Sequence, residues 1–95
     1  MYIPLNGPAV YGNIIANSTS IEVKIGASPL EERTVITIQP LDGNIYYGYD
    51  SSVTTSNGTK IYKGQVHTLE ATDQLAVWIV SETGTNTNVR VTEVS

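Results

Sequence analysis

Cysteine and phenylalanine are absent from this 95-residue sequence, histidine and tryptophan occur once each, and charged residues make up only 15% of it. Without cysteine no disulfide can staple the fold, and thiolate chemistry and thiolate metal sites are excluded. Five Lys and Arg residues, none clustered, stand against nine Asp and Glu, for a formal charge of -4. Such a chain cannot neutralise many phosphates, so nucleic acid is not an expected partner. The longest apolar run, Leu75-Ala76-Val77-Trp78-Ile79-Val80, falls far short of the roughly 20 residues a membrane helix needs. Met1 is followed by Tyr2-Ile3-Pro4 rather than by a basic segment and an apolar core, so neither a membrane partner nor a secretory signal is expected.

What the sequence does hold is β-branched. Ten Val, ten Ile and twelve Thr make up about a third of the chain, and summed intrinsic preference runs against helix. The alternation supports strands. Ile21-Glu22-Val23-Lys24-Ile25 places its three apolar residues on one face, and Thr34 to Gln39 turns Ile36 and Ile38 inward before Pro40. Asn44 to Tyr49 sets Ile45, Tyr47 and Tyr49 against Tyr46 and Gly48. Asn57-Gly58, preceding Thr59 to Lys63, reads as a tight hairpin turn with positive φ. Gln65 to Glu70 and Asn88 to Glu93 alternate again. Leu75 to Val80, apolar on both faces, reads as a central strand covered on each side, with Trp78 buried.

About seven short strands separated by turn residues predict an all-β fold, a compact antiparallel β-sandwich of Greek-key or jelly-roll-like type spanning residues 21–95. Ser28-Pro29-Leu30-Glu31 offers at most one helical turn between strands. In residues 1–20, Tyr2, Ile3, Leu5, Val10 and Tyr11 are apolar, while Pro4, Asn6, Gly7, Pro8 and Gly12 interrupt every run. This segment reads either as an extended arm lying on a neighbouring subunit or as an edge strand packed on its own sandwich. A small core without a staple, an apolar arm and the need to manage edge strands suggest self-association as a dimer or trimer, although each also has a monomeric solution.

Residues able to carry chemistry are sparse. His67 is the only imidazole, it lies in an alternating strand, and it reads as structural rather than as a general base. Glu31 and Glu32 are adjacent, so their carboxylates point apart and do not form the opposed pair of a glycoside hydrolase. Asp42-Gly43-Asn44 and Asp50-Ser51-Ser52 have the composition of turns and lack the spaced acids of a calcium loop. No phosphate loop or nucleophile elbow is present, so neither enzymatic activity nor a cofactor or metal is expected. Two sequons, Asn17-Ser18-Thr19 and Asn57-Gly58-Thr59, are attributed to Ser and Thr abundance. Tyr46 and Tyr62 could stack on a sugar from a flat sheet face; the competing reading makes tyrosine the aromatic filler of a core without Phe.

One constellation resembles a known family. Arg33-Thr34-Val35-Ile36-Thr37-Ile38-Gln39, Ile45-Tyr46-Tyr47-Gly48, Ser51-Ser52-Val53-Thr54-Thr55-Ser56-Asn57-Gly58, Gly64-Gln65 and Val89-Arg90-Val91-Thr92-Glu93 together are similar to the small β-sandwich virion proteins of tailed bacteriophages. The resemblance covers about two thirds of the chain, from Arg33 to Ser95. It implies a structural role in the virion, as a capsid cement or decoration protein or a head-fibre or tail-attachment domain, with the major capsid protein as partner. On that reading Tyr2, Ile3, Leu5, Val10 and Tyr11 contact capsid or sister subunits, and multivalent placement on a shell makes weak contacts durable. The alternative is a carbohydrate- or receptor-binding module using Tyr46 and Tyr62.

Overall fold

The computed structural model describes residues 7–95, and in these residues the alternation read from the sequence becomes eight strands: β1 (Ala9–Ala16), β2 (Ile21–Glu22), β3 (Val35–Pro40), β4 (Ile45–Gly48), β5 (Thr59–Ile61), β6 (His67–Leu69), β7 (Trp78–Ser81) and β8 (Thr87–Val94). They form two four-stranded antiparallel sheets, ordered β1-β8-β3-β6 and β2-β7-β4-β5. First pairs with last, second with seventh, third with sixth and fourth with fifth, and all but the fourth-to-fifth connection cross between sheets. That is the order of a jelly roll. The short Ser28-Pro29-Leu30-Glu31 segment forms no helix; it ends in a turn in which Arg33 N–H donates to Leu30 C=O at 3.0 Å.

The inner faces supply the core. Ile36, Ile38, Val89, Val91 and Ala16 from one sheet meet Ile45, Tyr47, Ile61, Val77, Ile79 and Val23 from the other, all buried. Each fully buried Val or Ile contributes roughly 1.5–3 kcal/mol from transfer out of water. Polar pairs lie at both margins of this core: Arg33 Nη1 with Glu93 Oε1 at 2.8 Å, and Ser81 Oγ with Thr87 Oγ1 at 3.2 Å. Among the described residues no buried side-chain nitrogen or oxygen lacks a hydrogen-bond partner.

Four expectations are modified. Of the two readings of residues 1–20, the structure takes the edge strand for Ala9–Ala16, which pair along their whole length with β8. Gly12 does not break this strand, because it stays in the ladder opposite Val91, and a Cβ added there would make only ordinary contacts with Ile25 Cδ1 and Cγ2 at 3.5 and 3.8 Å. Asn57-Gly58 is not a tight hairpin. Neither residue has positive φ, and the chain from Tyr49 to Gly58 instead folds over the outer face of the second sheet. There Val53 is buried at 6% exposure against Gly48 and Gly58 and borders the same pocket as Val80, which is itself buried, so β7 is buried and apolar at both Ile79 and Val80, on its two sides, as expected. Trp78 is only half-buried, because it lies opposite Glu22 and Gly48 on that outer face rather than in the core. Leu75 is exposed: residues 72–75 curl into a turn whose Thr72 and Leu75 carbonyls accept from Arg33.

Candidate functional site

Strand alternation sends Tyr11, Asn13 and Ile15 of β1 to the outer face of the first sheet, beside the even-numbered residues of β8 and the odd-numbered residues of β3. The register aligns Tyr11, Thr92, Thr37 and Thr68 in one row and Asn13, Arg90 and Gln39 in the next. Arg90 is the charged residue of these rows. Tyr11 is 80% exposed at the margin and, with Gly12, Asn13, Arg90, Val91 and Thr92, lines a shallow groove of about 340 Å³. A chain of hydrogen bonds fixes the polar part. Arg90 Nε donates to Asn13 Oδ1 at 3.1 Å, and Asn13 Nδ2 to Asn88 Oδ1 at 3.0 Å. Asn88 Nδ2 and N–H both donate to Asp42 Oδ2, at 2.6 and 2.8 Å. These bonds from Asn88 hold the Asp42 carboxyl below the usual aspartate range. The Arg90, Asn13 and Asn88 side chains are thus tied to one another and to Asp42, which lowers the ordering cost of docking a partner against them.

Of the residues expected to form the interface, Val10 and Tyr11 lie in β1: Tyr11 on the outer face, and Val10 half-buried on the inner one. Tyr2, Ile3 and Leu5 lie outside the described residues.

Tyr46 and Tyr62 come together on the second sheet, around Lys60. The Lys60 ammonium sits 5.8 Å from the Tyr46 ring centroid and 4.9 Å from that of Tyr62. Glu82 completes the cluster, accepting from Lys60 Nζ at 2.7 Å, Asn44 Nδ2 at 3.1 Å and the Tyr46 hydroxyl at 3.2 Å. The Lys60 bond, with those from Asn44 and Tyr46, lowers the Glu82 pKa, and Glu82 in turn raises that of Lys60. Tyr46 is half-buried under this network, whereas Tyr62 is exposed. Tyrosine is therefore not the general filler of the core: Tyr47 alone among the described tyrosines is buried, and Tyr11, Tyr49 and Tyr62 face solvent.

His67 points inward, opposite Ile38, and its Nε2 lies 3.2 Å from the Tyr47 hydroxyl, linking β6 of one sheet to β4 of the other. Burial, with the neighbouring Tyr49, raises the Tyr47 pKa above its ordinary value. Glu31 and Glu32 are exposed in a turn where Glu32 takes φ 57° and donates its N–H to Asp73 Oδ2 at 3.1 Å. Asp50 accepts from Ser52 N–H and hydroxyl within its own turn, which lowers its pKa. Asp42 instead ties its turn to the start of β8.

The most buried polar group was not singled out by sequence reasoning. Arg33 donates to Glu93 and to the carbonyls of Ala71, Thr72 and Leu75, while Glu93 also accepts from Ile25 and Leu30 N–H. Both side chains are fully buried. The available signal was parity, since Glu93 falls on the same face of its strand as Val89 and Val91.

The chain matches no protein-family model and no curated protein.

Proposed function

We propose that this chain is a non-enzymatic structural protein of a bacteriophage virion, most simply a capsid cement or decoration protein that adheres to the outer shell. The observation that carries the reading is the outer face of β1-β8-β3-β6: a sheet surface of Thr, Asn and Gln with the aliphatic Ile15, Val35 and Val94 and a single Arg, ending in an exposed Tyr11. Such a face suits adhesion. It carries few charges that docking would have to desolvate, its Asn13, Asn88 and Arg90 side chains are tied by hydrogen bonds, and it offers an aromatic anchor of the kind that dominates binding energy. The sequence resemblance supports the virion setting, and jelly rolls recur in viral capsid domains.

The alternative is a carbohydrate- or receptor-binding module of a fibre or tail. The exposed Tyr62 ring beside the Lys60, Glu82 and Asn44 polar groups favours it.

Co-sedimentation with assembled shells lacking the protein separates the two. On the cement reading Tyr11→Ala combined with Thr37→Glu weakens shell binding about tenfold or more, the range of a lost anchor, while Tyr46→Ala and Tyr62→Ala bind normally. Unchanged binding by the first variant, or glycan binding abolished by the second pair with the fold intact, overturns it.

A further inference from the structure

The four sheet edges are not protected alike. β2 is two residues long and carries Glu22 with Lys24 close behind; β5 is three residues with Lys60 at its centre; β6 is three residues followed by Glu70. Short length and charge are the usual means by which natural edges avoid pairing with other chains. β1 has neither. Its eight residues, Ala-Val-Tyr-Gly-Asn-Ile-Ile-Ala, contain no charge and no proline, and among the described residues β1 pairs with β8 alone.

The edge of β1 away from β8 has a defined hydrogen-bond pattern. Ser95 N–H donates to Pro8 C=O at 2.9 Å, continuing the β1–β8 register, so Pro8 and the even-numbered residues after it direct their backbone groups toward β8. Ala9, Tyr11, Asn13 and Ile15 therefore direct N–H and C=O outward. We propose that a second copy of this chain occupies this edge, β1 pairing antiparallel with its own copy about a two-fold axis at Gly12 and joining two four-stranded sheets into one.

The strand is self-complementary in that register. A two-fold axis perpendicular to the sheet keeps outer faces together, and centring it on Gly12 sets Tyr11 opposite the copy's Asn13 and Ala9 opposite its Ile15. Every outward N–H and C=O of the strand then gains a partner. Gly12 meets its copy in the non-hydrogen-bonded position, where Cα atoms come closest and a residue without side chain fits readily. On the inner face Val10 lies beside the copy's Ile14, extending both cores across the join. Among the described residues no like charges oppose this: the nearest, Arg90, lies one strand in, three strand spacings or roughly 14 Å from its copy and beyond a Debye length at physiological salt. The outer faces merge into one adhesive surface of doubled width. The inference goes beyond the virion reading and does not depend on it, because self-association is measured without any shell.

Sedimentation of the full chain across a concentration series tests it, with a species of twice the 10.3 kDa chain mass expected. Tyr11→Pro removes an outward donor and leaves the β1–β8 bonds intact, so it should raise the dimer dissociation constant about tenfold or more through two symmetry-related lost bonds. Ile15→Lys, which places charge on the edge, should act in the same direction. Both variants should keep the wild-type circular dichroism spectrum. Gly12→Cys, the sole thiol in a cysteine-free chain, should oxidise to a covalent dimer, since the paired Cα atoms fall within disulfide range, whereas Thr68→Cys should not. A monomer at every concentration overturns the proposal. So does a dimer indifferent to Tyr11→Pro and Ile15→Lys, or one in which Gly12→Cys fails to cross-link.

Discussion

Arg33, fully buried, organises two connections of this molecule. Its guanidinium satisfies three carbonyls of the segment before β7 and one oxygen of Glu93, whose two oxygens also accept N–H groups from the segment between β2 and β3. Two connections without regular structure are thereby fixed to β8. Replacing such a pair by apolar residues can be neutral, but removing one partner leaves an uncompensated buried charge. Glu93→Gln should accordingly cost about 3–5 kcal/mol in urea unfolding, with little change in slope. A cost below about 1 kcal/mol would mean that the pair is not buried and bonded as described. His67 acts on a smaller scale, joining the two sheets through the Tyr47 hydroxyl.

At the scale of elements, the segment between β4 and β5 shows how a loop can stand in for a third layer. Asn57 Oδ1 accepts from Thr54 N–H at 2.7 Å and Gly58 N–H donates to Thr54 C=O at 2.9 Å, so the loop closes on itself and presses Val53 onto the sheet. A Cβ at Gly58 would lie 2.8 Å from Val53 Cγ2, 2.9 Å from Tyr46 Cβ and 3.0 Å from Thr54 O. Gly58→Ala should therefore cost roughly 1–3 kcal/mol through overpacking, and Val53→Ala in the same chain should be less damaging than the sum of the two single changes. Strict additivity would contradict the packing described. β1 belongs to this scale too: because Ala9–Ala16 complete the sheet, removing residues 1–12 would delete half an edge strand rather than a detachable arm.

These elements also mark what could be read in advance. Inward and outward faces were legible wherever apolar and polar residues alternate, as in Ile21 to Ile25, Ile36 to Ile38 and Val89 to Val91, because period two leaves only one way to bury the apolar set. β1 was ambiguous because Pro8 and Gly12 are breakers by composition, and only the neighbouring β8 and Ile25 make a regular strand tolerable there. Asn57-Gly58 misled because its turn preference yielded to the packing of Val53. The Arg33–Glu93 pair joins residues 60 positions apart, and local pattern cannot supply that contact. Of the candidate site, Tyr11 was named from its apolarity; the row of Thr92, Thr37 and Thr68 beside it exists only through register.

For the whole molecule, the jelly-roll order places the first and last strands side by side and, among the described residues, leaves one sheet with an open, weakly charged outer face, while the other carries its own cover and an ion-paired tyrosine cluster. The proposed labour divides along the same line: one face adheres, and the rest of the sandwich holds it rigid within 36 × 25 × 24 Å. Repetition across a symmetric shell would convert modest single contacts into durable attachment. Quantitative mass spectrometry of purified particles that carry this protein tests that claim most directly. A cement role predicts on the order of hundreds of copies per particle, in a fixed ratio to the major capsid protein, as symmetric placement requires. A handful of copies, or none, contradicts it.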